Sequence, residues 1–357
     1  MNTLNKINVS IIGATGYVGA ELVRGFSMHP VFELRHLTGR SFAGQKFSDV
    51  YPEFRSVCDI VIEDLAPEEV AKDSDLVITA LPHGVSSQTV PLLLNAGCKV
   101  IDHSGDFRYK DLATYEKSYK LEHPHPELLE NAVYGLPEFY RDSLKDTRLT
   151  ANPGCYPTCS LIALAPFLKA HLIDEDSIII DAVSGVSGAG RKSDLAYAFC
   201  ELDEGFKPYG AVGHRHTTEI AEQCAFLAGR KSGDIKVTFT PHLAPFKRGM
   251  LATIYAKPSK SLEDVTSAKI NDIYNDFYKD ETFVRVLPAG VLPDVKAVAN
   301  SNYIDVNGVY DADTGLIKLF SAQDNLGKGA ALQAVQAANV MFGLAEETGL
   351  KTIIRGV

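Results

Sequence analysis

At 357 residues the chain is long for one ordinary domain and comfortable for two. Apolar residues make up 45% and charged residues 22%, an ordinary globular balance that excludes a largely disordered chain. The net charge of −10 leaves no broad basic face for neutralising nucleic-acid phosphates, although a few placed arginines suffice for small anions. The polar start, Met1 to Lys6, carries no signal-peptide pattern, and no apolar run approaches the roughly 20 residues of a membrane helix. Six scattered cysteines read as reduced thiols, so a soluble, cytoplasmic protein without membrane or nucleic-acid partners is expected.

Strand and helix alternate from the start. Residues 7–12 form an apolar strand, glycines follow, and 18–26 read as a helix. Further strands are expected at 32–37, 75–81 (ended by Pro82) and 99–102, with a helix through Leu94 between the last two. Short apolar strands alternating with helices predict a Rossmann-like, doubly wound parallel sheet. After Asn152 strands come closer together, at 177–183, 235–240, 250–256, 283–287, 298–306 and 316–322. Helices at 160–171, 218–227 and 262–278 interrupt them, which predicts an α+β domain on a mixed or antiparallel sheet. A final helix over 329–344 has Leu332, Val335 and Phe342 at helical spacing and should pack on the first domain.

Gly13-Ala14-Thr15-Gly16-Tyr17-Val18-Gly19 lies between a strand and a helix. There glycines admit a pyrophosphate to the backbone, and the helix N-terminus faces it with free N–H groups. A bare strand–helix turn is the plainer alternative. An acid at the end of the second strand would read a ribose 2′-hydroxyl; this chain has Arg40 and Ser41, which suit a 2′-phosphate. NADP(H) is therefore the expected cofactor, against the plainer reading of Arg40 as an exposed loop residue.

Asn152-Pro153-Gly154-Cys155-Tyr156-Pro157-Thr158 joins a strand-like stretch at 148–151 to an apolar helix. A thiol at a helix N-terminus is favoured as thiolate, the nucleophilic form. A buried structural cysteine is the commoner fate, but Gly154 and Pro157 argue for a specified turn. Cys159, Cys58, Cys98, Cys200 and Cys224 are assigned to the core. In His214-Arg215-His216-Thr217-Thr218-Glu219 two histidines share a side if extended, and Glu219 can orient His216 if a helix starts near Thr218. That suits proton transfer and anion binding, with a solvated loop as the alternative. The loops 102–108 and 184–191 each follow a strand and offer arginines.

In these motifs the chain resembles the N-acetyl-γ-glutamyl-phosphate reductases, relatives of aspartate-semialdehyde dehydrogenase. The resemblance runs from Gly13 to about Val340 and rests on 13–19, Ala80–Gly84, Ser104–Arg108, Tyr134–Glu138, Asn152–Thr158, Ser184–Arg191, Gly213–Ile220 and Asp324–Leu326. It implies an enzyme of arginine biosynthesis that reduces N-acetyl-γ-glutamyl phosphate with NADPH. Cys155 would displace phosphate to form a thioester, hydride would reduce it, and a proton from a histidine would accompany release of N-acetylglutamate 5-semialdehyde. His216 is taken as the acid–base. Arg108, Ser184, His214 and Glu219 are expected to line the substrate pocket. Pro82, Ser187, Gly188 and Asn325 join the glycine loop on the cofactor side, and no metal is implied. Residues 1–151, completed by 329–357, would form the NADP-binding domain, and 152–328 a catalytic and oligomerisation domain of a homo-dimer or tetramer. One departure is Leu332, where the family pattern has glycine; it is expected to add bulk near the nicotinamide. Rival readings are a reductase of aminoadipyl or aspartyl phosphate, and a non-catalytic NADP-binding sensor.

Overall fold

The computed structural model describes residues 6–191 and 193–351; the outer ends of the expected first domain, 1–5 and 352–357, lie outside the described residues. The chain divides into two compact units. One comprises the described residues through Pro153 together with Ala330–Lys351, the other Gly154–Gly329.

The first unit is built from β1 (Ile7–Ile12), α1 (Tyr17–Ser27), β2 (Phe32–Thr38), β3 (Ile62–Glu63), β4 (Leu76–Thr79), α2 (Ser86–Asn95), β5 (Lys99–Asp102), α3 (Leu112–Tyr119), β6 (Val133–Tyr134), α4 (Pro137–Asp146) and β7 (Leu149–Ala151). These strands form a parallel sheet in the order β3-β2-β1-β4-β5-β7-β6, which is the expected doubly wound architecture. β4 is buried along its whole length because helices cover a parallel sheet on both faces. The two-residue strands β3 and β6 went unread, being too short to show alternation. The helix Leu332–Met341 belongs to this unit, packs on α1 and α4, and is buried throughout. It is tied down by His29 Nε2 on Asn339 Oδ1 at 3.0 Å and by Lys99 Nζ donating to the Met341 carbonyl. Its expected start at 329 is replaced by a π-helical turn, Gly327–Ala331, and Gly343 at φ +68° lies just past its end.

The second unit contains α5 (Cys155–Lys169), β8 (Ile179–Gly185), β9 (Lys207–Pro208), α6 (Arg215–Leu227), β10 (Thr238–Ala244), β11 (Met250–Ala256), α7 (Ser267–Tyr278), β12 (Val284–Val286), β13 (Ile304–Asp311) and β14 (Leu316–Gln323). The sheet order is β12-β13-β14-β11-β8-β10-β9, with parallel pairs at β8–β10 and β12–β13 and antiparallel pairs elsewhere. A mixed sheet was expected and is found. α5 starts five residues before its expected start, because Pro157 sits in the first turn, where its missing N–H costs nothing. From Tyr156 to Leu168 every residue of α5 is buried, so this helix is the core, packed on α6, β11 and β14. The expected strand at 298–306 is corrected. Asp294 caps a one-turn helix, Val295–Val298, Asn300 takes φ +65°, and only from Ile304 does the chain extend.

Candidate active site

In the first unit the named loops lie at the C-terminal ends of parallel strands, where such sheets collect ligands. Gly13 follows β1 at φ +91°, and a Cβ there would come within 2.5 Å of the Ala80 carbonyl oxygen. At Gly19 a Cβ would meet the Gly13 oxygen at 2.4 Å. Both glycines are demanded by packing of β1, α1 and β4. Gly16 differs: it caps α1, and a Cβ on it would touch only the Gly13 oxygen, at 3.9 Å. Its bareness leaves the helix N-terminus open to a pyrophosphate, which is the fit a dinucleotide requires. Thr15 and Val18 are part-exposed and Tyr17 exposed beside it. The Thr15 side chain lies where a Cβ on Gly39 would go, at 2.9 Å, so the start of the Arg40–Phe42 turn adjoins the glycine loop. Arg40 is 93% exposed with an ion pair of 3.8 Å to Asp64, and Ser41 is exposed too. Pro82, exposed, follows β4.

The loop after β5 is built for rigidity. Buried Asp106 accepts from the Gly84 and Ser87 N–H groups at 2.9 Å, holding the start of α2. Arg108 is buried; its Nε donates to the Asn152 carbonyl and its Nη2 to the His103 carbonyl, both at 2.8 Å. The expected clamp thus spends these donors on backbone. Asn152 Nδ2 lies 3.3 Å from His103 Nδ1 and donates to the Ala330 carbonyl at 3.0 Å. Burial, with Arg108 second, pushes His103 down to about 3.

In the second unit Cys155 is the first residue of the 15-residue α5 and is part-exposed. Gly154 caps the helix in extended conformation, and its N–H donates to Glu219 Oε1 at 2.9 Å. A Cβ on Gly154 would lie 2.5 Å from His216 Nε2. The glycine is therefore the floor on which the His216 ring rests, one residue from the thiol. His216 and Glu219 are both buried on the first two turns of α6, which begins at Arg215, three residues before its expected start. His214 caps that helix: its Nδ1 accepts from the His216 N–H at 3.2 Å, which leaves Nε2 as the donor nitrogen. Burial, then the Arg215 charge, pushes it down to about 4. The fold thus brings Cys155, His214, His216 and Glu219 to one place.

A second group gathers behind β8. Ser184 Oγ would meet a Cβ on Gly188 at 2.9 Å, Asn325 Nδ2 donates to Ser187 Oγ at 2.9 Å, and Asn325 Oδ1 accepts from Gly249 N–H at 2.7 Å. Tyr156 and Tyr209 were not singled out; the Tyr209 hydroxyl donates to that of Tyr156 at 3.1 Å, and burial raises both phenols. Gln323 and Gly329, which touch Cys155, were also missed, since 168 positions or more separate them from it. Cys159 is core as expected, bonded to Ser321 and pushed up to about 12 by burial; Cys58, Cys98 and Cys224 are buried. Cys200 is corrected: it is exposed on a short helix. Leu332, the departure from the family pattern, is buried in the helix that packs on α1. Its Cδ2 would lie 3.2 Å from a Cβ on Gly25, so its bulk is taken up against α1 by a glycine.

Residues 8–147 match the model of the semialdehyde dehydrogenase NAD binding domain, and 155–325 that of the semialdehyde dehydrogenase dimerisation domain. The chain is 50% identical over 343 residues to an N-acetyl-gamma-glutamyl-phosphate reductase of Acetivibrio thermocellus, covering 96% of this chain and 97% of the relative. A reductase of the same name from Pelotomaculum thermopropionicum is 49% identical, with 96% and 97% covered. The chain belongs to the N-acetyl-γ-glutamyl-phosphate reductases of the semialdehyde dehydrogenase family. The fold is similar to that of aspartate semialdehyde dehydrogenase II of Vibrio cholerae, complexed with ASA, with a TM-score of 0.72 at 18% identity, over 95% of this chain and 99% of that one. The Candida albicans aspartate semialdehyde dehydrogenase with NADP gives 0.72 at 17%, with the same coverage. Like its family, the chain is an oxidoreductase of a small molecule with a nicotinamide cofactor. Among the described residues no helix is long and apolar enough to cross a membrane.

Proposed function

We propose that this reductase converts N-acetyl-γ-glutamyl phosphate to N-acetylglutamate 5-semialdehyde and phosphate through a thioester on Cys155, in arginine biosynthesis. The observation that carries the reading is the thiol at the start of α5, with His216 resting on the adjacent Gly154 and Glu219 holding the Gly154 N–H. His216 takes the Cys155 proton, and the thiolate attacks the acyl carbon. The C–O bond to phosphate breaks, and the imidazolium returns its proton to the departing oxygen. A nicotinamide cofactor, when bound, supplies hydride to the thioester carbon. The C–S bond then breaks to release the aldehyde, and the thiolate regains a proton from solvent through His216. His214, neutral with its proton on Nε2, serves as a donor to the substrate's anionic oxygens, and Ser184, whose hydroxyl donates to the Gly185 carbonyl at 3.0 Å, lines the same pocket. Arg108 contributes by fixing the Asn152 and His103 carbonyls.

The glycine loop with Gly13, Thr15, Gly16, Tyr17, Val18 and Gly19 would hold the pyrophosphate, with Pro82, Ser187, Gly188 and Asn325 toward the nicotinamide. Arg40 and Ser41 support NADP over NAD, since the exposed guanidinium lies beside the loop and suits a 2′-phosphate. Leu195, Phe199, Phe206 and Val212 are 60–96% exposed in the second unit, which supports a homo-oligomer. Cysteines that are all free support a reducing, cytoplasmic compartment. The test is NADP reduction with N-acetylglutamate semialdehyde and phosphate, beside aspartate semialdehyde. Faster turnover of the aspartate compound would sink the substrate assignment.

A further inference from the structure

Behind Cys155 lies a seat that no motif announces. Gln323, the last residue of β14, is fully buried, and its Nε2 donates to the Cys155 carbonyl at 2.7 Å. Gly329 closes the other side. A Cβ there would lie 2.9 Å from Cys155 Cβ, 2.9 Å from Gln323 Nε2 and 3.1 Å from the Asp324 carbonyl oxygen. The Gly329 N–H itself donates to that Asp324 oxygen at 2.9 Å. The end of β14, the first turn of α5 and the turn Gly327–Ala331 therefore hold one another around the nucleophile. Gln323 Oε1, by contrast, is buried and accepts no hydrogen bond from any described residue. An unmet buried acceptor is costly, and a methionine of similar volume would avoid that cost. What glutamine adds over methionine here is its Nε2, which donates to the Cys155 carbonyl at 2.7 Å and, more weakly, to Met250 Sδ at 3.9 Å.

We propose that Gln323 is a positioning residue for Cys155. Cys155 opens its helix, and first turns fray because their N–H groups lack intrahelical partners. A donor fixed to the Cys155 carbonyl pins the peptide plane that sets the direction of the Cα–Cβ bond. Gly329, pressed on Cys155 Cβ, limits how far the side chain swings. The thiol is thereby aimed before substrate arrives, which is where orientation acts on a rate. The inference rests on Cys155 being the nucleophile.

Two variants of the full-length enzyme test it. Gln323→Met keeps the volume and removes the donor. It should lower kcat about 10- to 100-fold, the scale of a misplacement near 1 Å. The KM values should stay within twofold, and alkylation of Cys155 by iodoacetamide should slow. Gln323→Glu keeps the shape and donates only while its carboxyl is protonated. Its kcat deficit should therefore grow with rising pH, a change of profile that simple loss of packing does not produce. A kcat within twofold of wild type in folded Gln323→Met overturns the proposal. If Gln323→Met does not fold, the Gln323→Glu profile decides: a deficit that rises with pH supports the role and a flat one overturns it. Alkylation of the wild type separates the two readings. Turnover that survives full labelling of Cys155 removes the nucleophile, whereas inactivation alongside a normal Gln323→Met removes the positioning role alone.

Discussion

Replacing Gly154 by alanine isolates the contact between the turn that opens α5 and the His216 ring. The backbone at Gly154, φ −69° and ψ 153°, suits any residue, so the substitution adds no conformational strain. Its effect is steric. The new methyl would sit 2.5 Å from His216 Nε2, 2.9 Å from Cε1 and 3.0 Å from Cδ2. Ordinary contact needs about 3.5 Å, so the ring or the start of α5 must yield by about 1 Å. The ring is flanked by the rings of Tyr156 and His214, with centroids 5.9 and 5.0 Å away, and the start of α5 is held by Glu219 on the Gly154 N–H. Overpacking of this kind costs about 1–3 kcal/mol of stability, and a shift near 1 Å between reacting groups costs about 10²-fold in rate. Steady-state kcat with N-acetylglutamate semialdehyde and phosphate should fall by that order, while NADPH titration of fluorescence stays unchanged. A Gly154→Ala enzyme with near-normal kcat and an unaltered melting temperature would refute the placement of His216 against this turn.

Cys155→Ser should lose turnover by orders of magnitude while still binding NADPH, because a serine hydroxyl is almost never ionised at neutral pH; retained turnover removes the thioester. His216→Asn should lower kcat by about 10² to 10⁴, and His214→Asn should act mainly on KM for the semialdehyde; the reverse split exchanges their roles. Arg40→Ala should raise KM for NADPH and leave that for NADH nearly unchanged, and an equal loss for both makes Arg40 structural. Burial holds His103 down to about 3 and His214 to about 4, whereas an unfolded histidine titrates near 6.5. Below pH 6.5 the unfolded chain therefore binds protons that the folded one refuses. Stability should be full above that pH and fall toward pH 4, by at most about 1.4 kcal/mol per pH unit for each histidine. Urea midpoints at pH 7 and pH 5 measure this, and His103→Gln should flatten the slope; an unchanged slope clears His103 of the effect.

Signals carried by residues adjacent in the chain were legible in the sequence alone. The run of buried residues in β4, the glycine loop before α1 and the thiol ahead of an apolar helix are local patterns, set by strand period, backbone sterics and helix ends. The double histidine was legible too, and His214 proved to cap the helix that carries His216. Where local cues competed, expectation failed: the apolar run at 298–306 hid an Asp294 cap and the left-handed Asn300. The short strand β9, Lys207–Pro208, exists only because β10 offers it an edge. The meaning of Gly154 lay beyond the sequence, since it depends on a ring 62 positions away in the chain and not on its own φ. The same holds for Gln323 and Gly329 against Cys155, and for the Gly25 that receives Leu332. Periodicity reports which face of an element is apolar, but which distant atom meets a given Cα is decided only when the elements pack.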